Sequence, residues 1–401
     1  MKAAAQTNPM PVATGRLEKA PGDPHRIDAF LPSICPQNHA ANIMLLGNGD
    51  LGLVWFGGTQ EGIGDILVYF SRLPQGGTLW TKPVKLSDDP TRSEQNPILF
   101  PAPDGRLWLL WTAQKAGNQD TAIVRYRVSK DDGAHWGPIE TLFGPRPGSG
   151  TFIRQPIVVV DNGDWLLPVF FCNTVPGEKW SGDEDTSAVM ISSDEGRSWS
   201  EHAVPNSVGA VHMSIVPLGG MTLAAFFRSR WADHVYRSQS RDGGRSWSAP
   251  EPTALPNNNS SIQAIHLADG DLAMVFNDMR AEKDTARRLS LYDEIEDDEP
   301  VVAAPPDAAA RRPGRKAFWG TPRAPMTIAL SRDGGNTWPV RRNLEVGDGY
   351  CLTNNSKDGL NREFSYPSIH QTPDGMLHIA YTFFRQAIKY VRIEKSWLIR
   401  S

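Results

Sequence analysis

The chain has 401 residues, 40% of them hydrophobic and 21% charged, with 41 Lys+Arg against 45 Asp+Glu and a formal net charge of −4. That balance excludes a nucleic-acid binder driven by bulk positive charge, and the apolar fraction excludes a disordered chain. No run approaches the ~18 apolar residues of a membrane span, and Cys35, Cys172 and Cys351 are too few for a disulfide framework. The opening MKAAAQTNPMPVATGR has no apolar core after Lys2. No signal peptide is read, so a reducing, cytoplasmic location is expected, unless a trimmed N-terminus hides an export signal.

In chain order, residues 1–25 read as a flexible segment and Ile27 to Phe30 as a lone strand. Six copies of apolar run, Gly-containing turn and apolar run follow, with turn glycines Gly49, Gly105, Gly163, Gly220, Gly270 and Gly375. Neighbouring glycines lie 50 to 58 residues apart except the last pair, which an insertion at about 280–324 separates. That insertion (EKDTARRLSLYDEIEDDEPVVAAPPDAAARRPGRK) is acidic, then Pro/Ala-rich, and reads as a surface loop, with a lid over a site as the alternative.

A second repeat, Ser-x-Asp-x-Gly-x-x-Trp, occurs at Ser129–Trp136, Ser192–Trp199, Ser240–Trp247 and Ser331–Trp338, with a degraded copy at Ser71–Trp80. It reads as a hairpin turn. The Asp accepts backbone N–H bonds, the Gly supplies positive φ and the Trp packs between units. Units of four antiparallel strands cannot bury both faces alone, and packing them radially gives a β-propeller. The expectation is all-β: one domain over residues 26–401, six blades (seven being the alternative), with the strand near Ile27–Phe30 completing the last blade and closing the ring.

Strand direction puts the Gly and Trp turns on one face and the starts of the inner strands on the other. Counting back eight to ten residues from each glycine gives His39, Asn96, Arg154, His212, Ser260 and Tyr366, all polar where a buried strand should begin apolar. Their neighbours Gln95, Gln155 and Asn259 are polar too. A polar ring at the propeller axis suits a polyhydroxylated ligand. Loops after the second strands add Glu61, Gln119, Arg228 and Arg385. His39 suits acid–base chemistry at neutral pH, with Glu61 as a possible partner, and Arg154 and Arg228 suit a carboxylate. No His-x-x-x-His or Cys-x-x-Cys spacing suggests a metal, no Gly-rich strand-to-helix loop suggests a nucleotide, and Gly-x-Ser-x-Gly is absent. No cofactor is expected.

The four Ser-x-Asp-x-Gly-x-x-Trp turns resemble the Asp-box repeats of the sialidase (neuraminidase) superfamily, over about Gln37 to Ile393. FSYPSI (Phe364 to Ile369) is similar to the Tyr-Ser segment carrying the sialidase nucleophile, which implies that role for Tyr366. Sialidases carry Arg-Ile-Pro at the first inner strand, its Arg belonging to the triad that grips the sialate carboxylate. Here that place reads Gln37-Asn38-His39-Ala40. The His there, with QNHAANIMLLGNGDLGLVWFGGTQEG and SEQNPILF, resembles sialidase-related propellers that remove L-rhamnose from rhamnosyl-α-1,4-glucuronate using a His. This resemblance implies an exo-glycosidase acting on an acidic glycan, with His39 and Glu61 at the reacting bond. Arg154 and Arg228 would hold the carboxylate, Gln95, Asn96, Gln155 and Asn259 would bind hydroxyls, and Gln119, His212 and Arg385 would add to substrate binding. An exo-α-sialidase with Tyr366 as nucleophile, a uronate-specific lyase and a non-catalytic glycan-binding propeller are the alternatives.

Overall fold

The computed structural model describes residues 12–288, 295, 314–353, 356 and 358–400. Six antiparallel sheets form the blades of a closed ring. Blade 1 holds Gln37–Leu45, Leu51–Gly58, Leu67–Leu73 and Val84–Lys85. Blade 2 holds Ser93–Pro101, Leu107–Lys115, Asn118–Ser129 and Glu140–Phe143. In blade 3 the inner strand is split into Ser149–Ile153 and Val158–Val159, followed by Trp165–Asn173, Thr186–Ser192 and Ser200–Ala203. Blade 4 holds Ala210–Gly219, Thr222–Ser229, His234–Ser240 and Glu251–Pro256. Blade 5 holds Gln263–His266, Leu272–Asn277, Met326–Ser331 and Val340–Glu345.

Blade 6 joins the two ends of the chain. Phe364–Gln371, Met376–Phe383 and Ala387–Glu394 are completed by Asp23–Phe30, with Glu18–Ala20 outside it. The closing strand thus begins earlier than expected, and residues 18–20 and 23–25 carry strand where a flexible segment was expected. Two anchors explain this. The Trp397 indole donates to Asp23 Oδ2 (2.6 Å), and Arg26 pairs with Asp28 (2.6 Å) and Glu345 (2.9 Å). Residues 1–11 lie outside the described residues, as do 289–294 and 296–313, most of the insertion expected at 280–324.

The blades are held together by alternation within their second strands. Leu53 and Trp55 pack toward blade 6 with Ala380 and Tyr390, while Val54 packs toward blade 2 with Leu109 and Trp111. Equivalent clusters lie between blades 2 and 3 (Leu110 with Leu167), 3 and 4 (Leu166 with Ala225), 4 and 5 (Phe226 with Met274) and 5 and 6 (Val275 with Ile379). Because both faces of each strand are buried, these strands read as continuous apolar runs rather than as polar/apolar alternation.

The four Ser-x-Asp turns share one hydrogen-bond pattern. The Ser hydroxyl donates to the Asp and accepts the Gly N–H, as in Ser192–Asp194 (2.8 Å) and Gly196–Ser192 (2.8 Å). The Asp accepts the N–H four residues on, as Asp194 does from Ser198 (2.8 Å).

A third repeat appears only in three dimensions. In blades 1, 2, 4 and 6 the inner strand carries a one-residue bulge near its start. Left-handed residues mark the place: Ala40 (φ 60°), Asn96 (50°), His212 (53°) and Tyr366 (51°), with Asn259 (56°) in blade 5. Non-glycine residues adopt this conformation at a cost, and bulges re-aim side chains.

Candidate functional site

The bulges assemble a buried polar cluster where the inner strands begin. His39 precedes the bulge of blade 1 and is fully buried. Its Nδ1 lies 2.8 Å from the Thr382 hydroxyl and 3.9 Å from Glu363 Oε1, while its Nε2 has no partner. The ring sits against Tyr366, centroids 4.3 Å apart. Burial holds the His39 pKa well below its ordinary value, reinforced by Arg385, Arg323, Arg154 and Arg228. The imidazole is therefore neutral at pH 7, with one ring nitrogen free of a proton and no imidazolium to act as an acid.

Tyr366, the left-handed residue of blade 6, accepts a hydrogen bond from Arg228 Nη1 through its phenolic oxygen (2.7 Å). Its own proton is left for donation. The guanidinium groups of Arg154, Arg228 and Arg323 lie 5.4 to 5.6 Å from its ring centre.

Arg154 leaves blade 3 at the break in its inner strand and crosses to the backbone oxygens of Ala41 (3.0 Å), Tyr366 (2.9 Å) and Pro367 (3.2 Å) through Nη2, while its Nε has no partner. Arg228 donates to Asn259 Oδ1 (2.8 Å) and approaches His212 Nε2 (3.3 Å). Among the described residues no carboxylate lies within ion-pair distance of either arginine. Burial lowers each to about 10. Both remain cationic at neutral pH, and a buried cation without a counter-ion is a receptor for an anion.

The other charges are paired. Arg385 bonds Glu61 Oε2 (2.5 Å) and forms an ion pair with Glu363 Oε1 (3.1 Å), and Arg323 bonds Glu363 (3.2 Å). Arg230 pairs with Asp185 (2.6 Å), flanked by Trp180 and Trp319. For Glu363, burial acts to raise the pKa, but Arg385, Arg323 and the Ser365 hydroxyl outweigh it and leave it below the ordinary value. Arg323 and Trp319 lie on the returning arm of the insertion, which is tied down by Phe318 N–H to Arg230 O (2.7 Å) and Asn259 Nδ2 to Phe318 O (2.9 Å).

His39, Glu61, Arg154, His212, Arg228, Asn259, Tyr366 and Arg385 thus meet in one network. Gln95 precedes the bulge of blade 2 as His39 does in blade 1, and donates to Ser93 (2.9 Å); Asn96 is the left-handed residue beside it. Gln119 accepts from Cys172 (3.2 Å). Gln155 donates to Ile262 O (2.5 Å) and lines a cavity of about 330 Å³ with Met44, Val216 and His370. Counting back from the turn glycines pointed to His39 and Ser260, but the left-handed residues of those blades are Ala40 and Asn259. Glu363, Arg323 and Thr382 were not singled out from sequence. Glu363 stands three residues before Tyr366, and a charge just ahead of an apolar strand was the available signal. Among the described residues no three His, Cys, Asp or Glu side chains group to hold a metal ion.

Solved structures with this architecture include the following three. The Hadza microbial sialidase Hz136 is similar with a TM-score of 0.67 at 14% identity, over 90% of this chain and 66% of that one. The intramolecular trans-sialidase of Ruminococcus gnavus, solved with oseltamivir carboxylate, has a TM-score of 0.65 at 12% identity, over 91% and 96%. A Dyadobacter fermentans protein of unknown function has a TM-score of 0.64 at 15% identity, over 92% and 97%. The chain spans just under two thirds of the Hadza sialidase, and at these identities the likeness is one of fold. No curated protein matches the sequence. A sialidase-like propeller, four repeated Ser-x-Asp turns and a BNR repeat-like domain matched over residues 49–379 agree: the chain belongs to the BNR repeat-like family.

Proposed function

We propose that the protein is an exo-acting glycoside hydrolase that cleaves the bond beside a carboxylate-bearing sugar, with L-rhamnosyl-α-1,4-D-glucuronate as its preferred substrate. The observation that carries this reading is the pair of buried arginines without counter-ions, Arg154 and Arg228, converging on Tyr366 beside the unpartnered Nε2 of His39. A uronate carboxylate would supply the missing charge. His39 Nε2 takes a proton from the attacking water. The C1–O glycosidic bond breaks, and Tyr366 gives its proton to the departing oxygen. Glu61 and Glu363 hold Arg385 rather than forming the usual pair of carboxylates around a glycosidic bond. The sialidases among the structural neighbours, one bound to oseltamivir carboxylate, support an acidic ligand.

A neutral imidazole next to carboxylate-binding arginines also favours a second reading, β-elimination. His39 then removes the C5 proton of the uronate, C4=C5 forms, the C4–O bond breaks and Tyr366 protonates the leaving oxygen, without water.

One assay separates these readings. Wild type and His39→Ala are given rhamnosyl-glucuronate oligosaccharide and sialyllactose. The expected result is free rhamnose from wild type without new ultraviolet absorbance, reduced about 10²-fold or more in His39→Ala. Rhamnose released with an unsaturated-uronate absorbance establishes elimination. Sialic acid release that survives the His39 substitution overturns both. Binding of the acidic glycan without turnover assigns a non-catalytic role.

A further inference from the structure

We infer that Glu363 is a positioning residue that keeps the resting proton of His39 on Nδ1 and stabilises the imidazolium formed when Nε2 takes a second proton. The inference rests on the reading of His39 as a base, but its test below does not need turnover.

The geometry sets a competition at Nδ1. The Thr382 hydroxyl already accepts the Ala40 N–H (3.1 Å) and lies 2.8 Å from Nδ1. If Thr382 donates to Nδ1, the ring proton must sit on Nε2, and His39 is no base toward the axis. If Nδ1 carries the proton, Nε2 presents a lone pair. Glu363 Oε1, 3.9 Å from Nδ1 and fully buried, weights the choice toward the second state, because a carboxylate favours a proton on the nearer nitrogen.

The charged surroundings make Glu363 matter more. His39 faces Arg385 after the second strand of blade 6, Arg323 on the insertion arm, Arg154 of blade 3 and Arg228 of blade 4. Tyr366 packs on its ring, and Glu61 is reached only through Arg385. All four guanidinium groups oppose an imidazolium. Among the described residues Glu363 is the one carboxylate within 4 Å of it. Glu363 holds this position through Ser365 (2.6 Å), Arg323 (3.2 Å) and Arg385 (3.1 Å), and its Oε2 has no partner. A carboxylate serving only to balance two arginines could sit anywhere along them; this one also faces the ring nitrogen opposite the reacting one.

The test is ¹⁵N NMR of the histidine side chains in the free protein, with the His39 signals assigned by loss in His39→Gln. In wild type at neutral pH, Nε2 should resonate as an unprotonated nitrogen and Nδ1 as a protonated one. Glu363→Gln should exchange the two patterns, and kcat on the substrate that wild type turns over should fall about 10-fold or more with KM within about twofold. Thr382→Val, which removes the competing hydroxyl, should keep the wild-type pattern. That variant decides the matter alone if Glu363→Gln does not fold. Unchanged patterns in Glu363→Gln, or a switch in Thr382→Val, would overturn the assignment. If the NMR result holds but none of the proposed glycans is turned over, the proposed reaction fails and the role of Glu363 stands.

Discussion

Arg154 and Arg228 each place a positive charge at 2% exposure or less, a position that costs several kcal/mol unless something compensates. Arg154 is compensated by three carbonyl oxygens, whereas Arg228 relies on an amide oxygen, a phenol and an imidazole. Arg228 is therefore the arginine with more to gain from an anionic ligand. Arg228→Lys keeps the charge but loses the planar fork. It should cut kcat/KM for the acidic glycan about 10- to 100-fold, the worth of one charge-assisted bond at ~1.5–3 kcal/mol. Unchanged kinetics would remove Arg228 from carboxylate binding. At this scale the sequence disclosed the residues that repeat: His39, Arg154, His212 and Tyr366 were reached by counting from turn glycines. It hid Glu363, Arg323 and Thr382, because Arg323 comes from an insertion, Glu363 from a non-repeating connection, and Thr382 reads as one more residue of an apolar strand. The left-handed residue does not keep a constant distance from the turn glycine, so the count landed one place early in blade 1 and one late in blade 5.

The Ser-x-Asp turn was the most legible element, because the turn needs a fixed set of residue types at fixed spacing and nothing elsewhere in the fold alters that need. Its electrostatics follow from the same bonds. The Ser198 hydroxyl and N–H and the Ser192 hydroxyl pull the Asp194 carboxyl down to about 2, and Thr337 does the same for Asp333. A carboxylate whose pKa is lower in the folded chain adds stability that is present above its unfolded value, ~3.9, and is lost as pH falls through about 2. Asp194→Asn should therefore lower the denaturation midpoint by a constant amount from pH 7 to about pH 4, with the gap to wild type closing toward pH 2. Denaturant titrations of both proteins across that range check it. A gap that persists undiminished at pH 2 would mean the Asp acts through shape and not through charge.

Six blades make one molecule only because the ring closes, and closure rests on a strand taken from the far end of the chain. Asp23–Phe30 pairs with Ala387–Glu394 from Arg26 opposite Ile393 to Phe30 opposite Lys389. Ala29 and Leu31 also enter the cluster between blades 6 and 1, and Arg26 reaches Glu345 of blade 5. The last unit, with three strands where its neighbours have four, was enough to expect a strand near Ile27–Phe30 from the sequence. Its start at Asp23 was not, since it depends on Trp397 and Glu345, hundreds of residues away. Without the strand, Ala387–Glu394 becomes an open edge whose free N–H and C=O groups template pairing with another chain. A chain beginning at Leu31 should lose its single cooperative melting transition and self-associate with rising concentration. A synthetic peptide spanning residues 12–30 should restore both the full-length protein's size in solution and its transition, because it supplies the missing strand without a covalent link. Light scattering and thermal unfolding with and without the peptide read this out. A truncated chain that keeps the full-length protein's size in solution and melts like it would show that the blade interfaces alone hold the ring shut.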